Sequence, residues 1–304
     1  MPENPDLTAP VARHAASLTT EEGGFPAQEQ QPPGLTPPMD PLPDHGEDTY
    51  VGHDRLKGLR ALITGGDSGI GRAVAIAYAR EGADVAIGYL PEEQEDATAT
   101  AELIHEAGRT AVLVPADLRV QAACTTTIER VVAELGGLDI LVNNAGYQMA
   151  RTQGLEELTT EDMDRVFKTN LYAMFWLTQA ALPHLGRGAS IINVSSIQAY
   201  EPSTTLLDYA ATKAAINNFT VNLAAEVGNR GIRVNAVAPG PIWTPLQPAT
   251  QEGDHLKTFG ADTPLGRPGQ PAELAGAFVF LASPAEASYV SGTVVGVTGG
   301  KPVF

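Results

Sequence analysis

The sequence predicts an α/β protein in which a doubly wound, seven-stranded parallel sheet carries helices on both faces. Two observations support this class. From Lys57 onward, short apolar runs alternate with amphipathic stretches. The apolar runs are continuous, as in strands buried on both faces, whereas a sheet with one wet face would show alternating apolar and polar residues. The predicted sheet and its helices form one domain over residues 55–304.

Candidate strands and helical patterns follow one another along this domain. Strands are predicted at 60–65, 84–90, 110–118, 138–146, 190–196, 233–240 and 294–300. Helical patterns lie near 70–81, 92–107, 121–135, 159–185, 208–227 and 271–282. This alternation is typical of doubly wound sheets, in which ligands bind at the carboxyl ends of the strands.

Residues 1–54 form an acidic, proline-rich extension ahead of this domain. They contain ten of the 23 prolines, and their ten acids against one base carry −9 of the net charge of −17. Such a composition cannot build a core of its own. Two interpretations stay open: a disordered tail, or an arm that packs on a neighbouring subunit through apolar anchors at Leu35, Met39, Leu42, Tyr50 and Val51.

The composition favours a soluble, cytoplasmic protein and disfavours several classes of function. No apolar run approaches the roughly 20 residues needed to cross a bilayer, and the N-terminus has neither a signal-peptide nor a transit-peptide pattern. A single cysteine, Cys124, fits a reducing compartment. The six histidines lack metal-ligand spacing, so no metal site is expected. The negative charge disfavours nucleic acid and membranes as partners.

The first predicted strand runs into a glycine-rich turn that is typical of dinucleotide binding. Residues 64–71 read TGGDSGIG, and an alanine-rich helix follows. The glycines allow a tight turn and the close approach of a pyrophosphate, which the N-terminal amides of the helix attract. A tight turn alone would also explain glycines. The place of this turn at the start of a doubly wound pattern favours a dinucleotide site of the Rossmann type.

Two further motifs fall at the same predicted edge of the sheet. The third strand ends in ADL, where Asp117 can accept a hydrogen bond from an adenine amino group and the Leu118 amide can donate to the ring. The fourth strand ends in NNAG, residues 143–146. Asn143 could be an ordinary turn residue, but its position favours bracing of the backbone and lining of the cofactor site.

Tyr209 and Lys213 lie four positions apart on a predicted helix, so their side chains share one face. An ammonium beside a phenol favours the phenolate and should pull the pKa of Tyr209 below its usual value of about 10. Ser196 ends the fifth strand, 13 positions before the tyrosine, and can hold a substrate oxygen near the phenol. Each residue alone has an ordinary structural explanation. Together, behind a dinucleotide turn, they predict alcohol–carbonyl interconversion.

These motifs, with Asn170 and PGPIWT at 239–244, occur in one order over about residues 57–300, and the sequence resembles the compact branch of the short-chain dehydrogenase/reductase family. The resemblance implies that Asn170 kinks its helix and joins Ser196, Tyr209 and Lys213 as a catalytic tetrad. It also implies that Lys213 grips the nicotinamide ribose. The acidic preface and RPGQPAELA resemble a subgroup of stress-associated bacterial reductases and plant proteins labelled glucose and ribitol dehydrogenases.

The candidate cofactor site combines the residues of these motifs. It comprises Gly65, Asp67, Ser68, Gly69, Ile70, Gly71, Tyr89, Asp117, Leu118, Asn143, Ala145, Gly146, Tyr209, Lys213, Pro239, Gly240, Ile242 and Thr244. The resemblance implies NAD or NADP as the cofactor. Family members that prefer NAD typically have an acid at the end of the second strand, where this chain has Tyr89-Leu90. Members that prefer NADP have a base there or in the glycine turn, where this chain has Asp67-Ser68. The acidic run EEQED at 92–96 would repel a 2′-phosphate, which favours NAD.

The substrate side of the site is predicted from loops after the strands. The long segment 244–271, punctuated by proline and glycine, is interpreted as a lid over the substrate. Pocket candidates are Gln148, Ser196, Gln198, Tyr200 and Trp243, although ordinary loop packing would also explain most of them. The broadly apolar stretch 171–185 suits a subunit interface, and the resemblance implies a homotetramer.

The sequence therefore predicts an NAD(P)-dependent oxidoreductase of small carbonyl compounds, sugars or polyols. Two alternatives stay open. An epimerase or dehydratase on the same fold would have a different glycine spacing and a larger C-terminal substrate domain. A non-catalytic dinucleotide sensor or scaffold would use the acidic extension for partners.

Overall fold

The computed structural model of the chain describes residues 24–251 and 253–304; the first part of the predicted extension, residues 1–23, lies outside the described residues. Seven parallel strands form one sheet in the order β3-β2-β1-β4-β5-β6-β7. Their bounds are Arg60–Thr64 (β1), Asp84–Tyr89 (β2), Ala111–Pro115 (β3), Ile140–Asn143 (β4), Ser190–Val194 (β5), Arg233–Pro239 (β6) and Val294–Val297 (β7). The predicted fold class is confirmed, and each predicted strand is present.

Burial along the sheet explains why the apolar runs are continuous. Every residue of β5 and β6 is buried, whereas the edge strands β3 and β7 are partly exposed. The register aligns the carboxyl ends: Thr64 lies opposite Gly88, and Asn143 opposite Asn193. The motifs that follow these strands are consequently brought to one edge of the sheet.

Helices cover both faces of the sheet. Their bounds are Gly69–Arg80 (α1), Gln94–Glu106 (α2), Gln121–Leu135 (α3), Thr160–Phe167 (α4), Ala173–Ala181 (α5), Leu207–Val227 (α6), Leu246–Thr250 (α7) and Ala272–Ala282 (α8). On one face, α1 and α8 pack together and share a core with β1 through Val74, Phe278 and Ile63. On the other face, α3, α5 and α6 contribute Ile128, Leu177 and Leu223 to a second core. Removing apolar side chains such as these from water drives the folding of both layers.

The predicted helix over 159–185 is not continuous. It begins at α4, where the Thr159 side chain accepts from the Asp162 amide as an N-cap, and passes through a π-helical turn at Lys168–Tyr172 before α5. The wide turn surrounds Asn170, whose side chain is bonded outside the helix. α5 ends at Ala181, shortly before Pro183, which cannot donate a helical hydrogen bond.

The described part of the N-terminal extension, residues 24–54, lies along its own domain, and we call it the N-terminal arm. Phe25 stacks on Trp243 after β6. Further along, Arg80 at the end of α1 donates to the Tyr50 carbonyl at 2.7 Å. The arm interpretation of the extension named Leu35, Met39, Leu42, Tyr50 and Val51 as anchors for a neighbouring subunit. Met39 and Tyr50 instead pack against this chain's own hydrophobic clusters, whereas Leu42 and Val51 are exposed.

Candidate active site

The carboxyl ends of the strands open into a cavity of about 880 Å³. Most of the predicted cofactor and substrate residues line it. Those residues are Gly65, Asp67, Ser68, Gly69, Ile70, Tyr89, Asp117, Leu118, Ala145, Gly146, Gln148, Ser196, Gln198, Tyr209, Lys213, Pro239, Gly240, Ile242 and Thr244. A cavity of this size falls in the range of cofactor and small-molecule sites.

The glycine turn has the shape that a phosphate-binding turn needs. Gly65 and Gly69 have positive φ angles of +61° and +48°, a region that glycine tolerates best. A Cβ on Gly71 would stand 1.8 Å from the Gly65 carbonyl oxygen, so only glycine fits where α1 crosses the turn. Asn144 donates to the carbonyls of Thr64 and Gly65 at 2.8 and 3.0 Å and fixes the loop. A Cβ on Gly69 would likewise stand 3.0 Å from the Thr244 side chain, so the turn keeps this shape only with glycine.

Asp67 is the most unusual polar residue of the turn. It is 1% exposed, and neither carboxylate oxygen has a well-placed hydrogen-bond donor among the described residues. Burial raises its pKa to about 7. Nearby, burial and the charge of Asp67 raise the pKa of Glu93 to about 8. Glu93 Oε2 accepts from the Leu90 amide at 2.9 Å, whereas the carboxylate oxygens of Asp67 fit a hydroxyl group of a ribose, which can donate to them. The turn and these oxygens together fit a dinucleotide.

Asp117 lines the cavity and also pairs with Arg119. The ion pair has two contacts, with Nη2–Oδ2 and Nε–Oδ1 distances of 2.6 and 2.8 Å. The hydrogen bond from Arg119 is the main reason why the pKa of Asp117 is lowered. A carboxylate has further lone pairs, so acceptance from an adenine amino group stays a prediction, and the guanidinium is a second polar group of this wall.

Ser196, Tyr209 and Lys213 meet at the other part of the cavity. Ser196 follows β5, while Tyr209 and Lys213 lie on the first turns of α6. The Ser196 hydroxyl accepts from the Gln198 amide at 3.1 Å and lies near enough to the Tyr209 phenol to act on its pKa. Lys213 Nζ donates to the Val194 carbonyl at 2.7 Å and stands 5.3 Å from the centre of the Tyr209 ring. The adjacent Ser195 instead donates to the Lys213 carbonyl, which leaves Ser196 for the phenol.

The expected depression of the Tyr209 pKa by Lys213 is not what the protein chain produces. Burial raises the pKa of Tyr209 to about 12, although the hydrogen bond with Ser196 acts to lower it. Burial also lowers the pKa of Lys213 to about 7. The reason is physical: a lysine taken out of water loses its own charge near neutral pH, so it stabilises a phenolate less than the sequence suggested.

Asn170 lies behind the cavity rather than on its wall. Its Oδ1 accepts from the Tyr147 amide at 2.7 Å, and its Nδ2 donates to the Tyr147 carbonyl and to Thr212 Oγ1. Gly146 separates it from Lys213: a Cβ on Gly146 would stand 3.7 Å from Asn170 Oδ1 and 3.8 Å from Lys213 Nζ. A small void of about 10 Å³ beside Asn170 is close to the size of one water.

Four further predicted positions do not reach the main cavity. Trp243 is fully buried beneath the N-terminal arm, so its assignment to the substrate pocket is corrected. Asn143 bonds Asn193 and Thr178 and braces β4 against β5, as expected, but does not line the cavity. Gly71 lies beneath the turn against Gly65. Tyr200 also lies outside the cavity lining.

Several cavity residues carry no motif that could have identified them. Pro32 and Pro33 come from the arm, and Lys301 comes from the C-terminal end of the chain. Lys301 pairs with Asp262 at 2.6 Å. Glu93 could have been found, because it belongs to the acidic run after β2. The predicted lid segment contributes Gln247 and several neighbours to the wall, while its closure stays a prediction.

Within residues 24–251 and 253–304, the helices are too short or too polar to span a bilayer. The same residues contain no cluster of three or more His, Cys, Asp or Glu side chains placed to hold a metal ion.

Comparison with known proteins agrees with this fold and site. A family model described as "Enoyl-(Acyl carrier protein) reductase" matches residues 65–301. The uncharacterized oxidoreductase YhxD of Bacillus subtilis is 54% identical over 91% of this chain and 94% of its own length. The glucose and ribitol dehydrogenase of Daucus carota is 44% identical over 92% of this chain and 98% of its own length.

Solved structures give the same result. A short-chain dehydrogenase from Burkholderia cenocepacia in complex with NADP has a TM-score of 0.76 and 39% identity, over 81% of this chain and 99% of its own. A blue fluorescent protein from a metagenomic library, in complex with NADPH, has a TM-score of 0.76 and 36% identity, over 82% and 100%. The fold and site define a Rossmann-type oxidoreductase. This chain belongs to the short-chain dehydrogenase/reductase family.

Proposed function

We propose that this oxidoreductase interconverts an alcohol and an aldehyde or ketone on a small polar substrate, with NAD(H) or NADP(H) as the cofactor. The observation that carries the proposal is the meeting of Ser196, Tyr209 and Lys213 in the cavity that begins at the glycine turn. The turn would hold the pyrophosphate, and Asp67 would accept from a ribose hydroxyl. When bound, the nicotinamide supplies or accepts the hydride at the substrate carbon.

The side chains of the site supply the proton chemistry. In the direction of reduction, the Tyr209 phenol gives its proton to the carbonyl oxygen as the C=O bond becomes an alcohol. Ser196 donates a hydrogen bond to that same oxygen and orients it. Because burial lowers the pKa of Lys213 to about 7, its ammonium can return a proton toward Tyr209 at neutral pH. The reverse reaction uses the same groups in the opposite sense.

The lining of the cavity favours an uncharged, hydroxylated substrate such as a sugar or polyol. Gln148, Gln198 and Gln247 line it with neutral amides that can both donate and accept. The side-chain oxygen of Gln247, Oε1, is buried and has no donor among the described residues. Lys301 is held by Asp262 and Glu201, so this lysine is not free to bind a substrate carboxylate. Small aldehydes and ketones remain within the proposed class.

For the cofactor we propose a preference for NAD. Asp67 and Glu93 line the cavity together, and negative charge close to a ribose opposes a 2′-phosphate. Two similar solved structures contain NADP and NADPH, so the proposed preference for NAD rests on Asp67 and Glu93 of this chain. Fluorescence titration with NADH and NADPH tests it; tighter binding of NADPH would refute the preference.

The test of the reaction is a panel of carbonyl compounds and polyols, assayed with both cofactors for the wild type and for Tyr209→Phe. We expect turnover by the wild type and a loss of about a thousandfold or more in the variant, because the phenol is the proton donor. Tyr289→Phe is the matched control, since Tyr289 is fully exposed. Cofactor binding without turnover on the whole panel would favour a sensor or scaffold. Conversion of a substrate without net redox change would favour an epimerase or dehydratase.

We also propose the homotetramer that the sequence predicts, and its cytoplasmic location stays a prediction. α5 and α6 expose apolar side chains that include Phe175, Leu207 and Val221, and the π-turn exposes Tyr172. Exposed apolar side chains on neighbouring helices suit a helix-to-helix interface. Light scattering that detects only monomer at micromolar concentration would refute it.

A further inference from the structure

We propose that the N-terminal arm is a positioning element of the active site of its own subunit. In this proposal the arm supplies part of the cavity wall and holds in place the stretch 241–250, which carries Ile242 and Thr244. The inference rests on the proposed function, because it concerns the same cofactor cavity. The region matched by the family model begins at residue 65, so the arm lies outside it.

The first part of the arm fixes the chain that follows β6. Phe25 stacks on Trp243, with ring centroids 3.8 Å apart and an angle of 8° between the planes, and both side chains are buried. Trp243 Nε1 also donates to the Pro41 carbonyl at 2.8 Å. Trp243 itself stands between Ile242 and Thr244, which both line the cavity. A shift of the indole would therefore move these two wall residues.

The middle of the arm crosses the edge of the cavity. The Gln30 amide donates to the Pro248 carbonyl in α7 at 2.8 Å. Gly34 has a φ of +85°, and a Cβ there would stand 2.6 Å from the Pro245 carbonyl oxygen, so the arm is in close contact with this stretch. Between these two contacts, Pro32 and Pro33 form part of the cavity lining.

The arm then reaches the acidic side of the cavity. The Thr36 amide donates to Asp96 Oδ2 at 2.8 Å. Asp96 lies on α2 and contributes, by its charge, to raising the pKa of Asp67. The arm thus joins the wall that contains Thr244 to the helix that stands beside Asp67. A movement of the arm would therefore change its contacts with the stretch 241–250 and with α2 at the same time.

The last part of the arm anchors it to the domain. The Asp44 amide donates to Gln270 Oε1 at 3.0 Å, and the Asp44 carbonyl accepts from the Ala272 amide at the start of α8. Tyr50 donates to Glu81 Oε1 at 2.7 Å. With this anchor at one end and the Phe25–Trp243 stack at the other, the segment that lines the cavity is held at both sides.

The test compares cofactor affinity in full-length variants by NADH fluorescence titration. We expect Phe25→Ala to raise the Kd for NADH by about tenfold, since small displacements of positioning groups have large effects. Phe25→Tyr, which keeps the stacked ring, should restore wild-type affinity. Leu42→Ala, at an exposed position of the arm, should leave the Kd unchanged. Val227→Ala controls for general destabilisation, because it opens a core cavity at the far end of α6.

A spectroscopic readout separates positioning from stability. Trp176 and Trp243 are the chain's two tryptophans, so in a Trp176→Phe background only Trp243 can emit. Energy transfer from Trp243 to bound NADH should fall in Phe25→Ala at saturating NADH. A Kd and an energy transfer equal to those of the wild type would overturn the positioning role. If the wild type bound neither NADH nor NADPH, the proposed function itself would fail, and this inference with it.

Discussion

The two sides of the cavity are built in different ways. The catalytic side consists of Ser196 after β5 and of Tyr209 and Lys213 on the 21-residue helix α6, all set by regular backbone hydrogen bonds. The other side combines the glycine turn, the acids Asp67 and Glu93, the stretch 241–250 and the N-terminal arm. The first side is rigid and local in sequence. The second is assembled from segments up to about two hundred positions apart, as in the hydrogen bond between Trp243 and Pro41.

The two sides are expected to serve different purposes. On the catalytic side, the buried Ser196, Tyr209 and Lys213 lie together in one part of the cavity, where we propose that the chemistry occurs. On the assembled side, we propose that the acids and the arm contacts determine which cofactor fits and how firmly it is held. Substitutions on the first side should therefore change turnover, and substitutions on the second should change binding.

The largest expected effect comes from the lysine on the catalytic side. Lys213→Met keeps the length of the side chain but removes the amine that returns the proton to Tyr209. We expect kcat to fall by about a hundredfold or more. Lys57→Met, at an exposed lysine far from the cavity, is the matched control. Full turnover by Lys213→Met would contradict the assignment of the proton chemistry to the catalytic side of the cavity.

A smaller effect is expected from the acid on the assembled side. Above pH 7, where Asp67 carries a negative charge, Asp67→Ser removes that charge, so the ratio of the Kd for NADPH to that for NADH should fall by about tenfold while kcat changes little. Glu95→Gln removes an exposed charge nearby and should leave the ratio as it is. An unchanged ratio of the two Kd values in Asp67→Ser would show that Asp67 does not determine the preference between NADH and NADPH.

The smallest effect concerns stability and pH. Burial lowers the pKa of Lys213 from 10.5 to about 7, so between these values the unfolded chain binds a proton that the folded chain does not. The contribution of Lys213 to the free energy of unfolding therefore becomes more favourable as the pH rises from about 7 toward 10.5. Wild type should gain stability relative to Lys213→Met over this range in denaturant titrations. A difference that is constant with pH would show that Lys213 is not desolvated.

The same comparison explains what could be predicted from the sequence. Strands such as β5, which are buried at every position, can be recognised in the sequence as continuous apolar runs. Residues four positions apart on α6 share one face of the helix. These local rules predicted that the motifs meet at the carboxyl edge of the sheet, and they pointed to the residues Ser196, Tyr209 and Lys213. The family resemblance implied a kink at Asn170, but helical periodicity alone did not show the π-turn, because it depends on the hydrogen bonds of Asn170 to Tyr147 in a loop outside the helix.

Packing between distant segments, side-chain orientation and burial account for the features that the sequence did not predict. Trp243 was assigned to the substrate pocket because it follows β6, but Phe25 covers it from more than two hundred positions away. The pairing of Asp117 with Arg119 was missed although the two are close in sequence, because the pattern did not show which way the guanidinium turns. The pKa of Tyr209 was predicted in the wrong direction, since burial raises it and outweighs the opposing effect of Ser196.

The most direct test of the central claim is a paired measurement on Tyr209→Phe. Its kcat/KM on the best substrate of the panel is compared with its Kd for the preferred cofactor. Because the phenol moves the proton and the rest of the cavity holds the cofactor, we expect kcat/KM to fall by about a thousandfold and Kd to stay within about twofold of wild type. Equal kcat/KM values for the two proteins would contradict the assignment of Tyr209 as the proton donor.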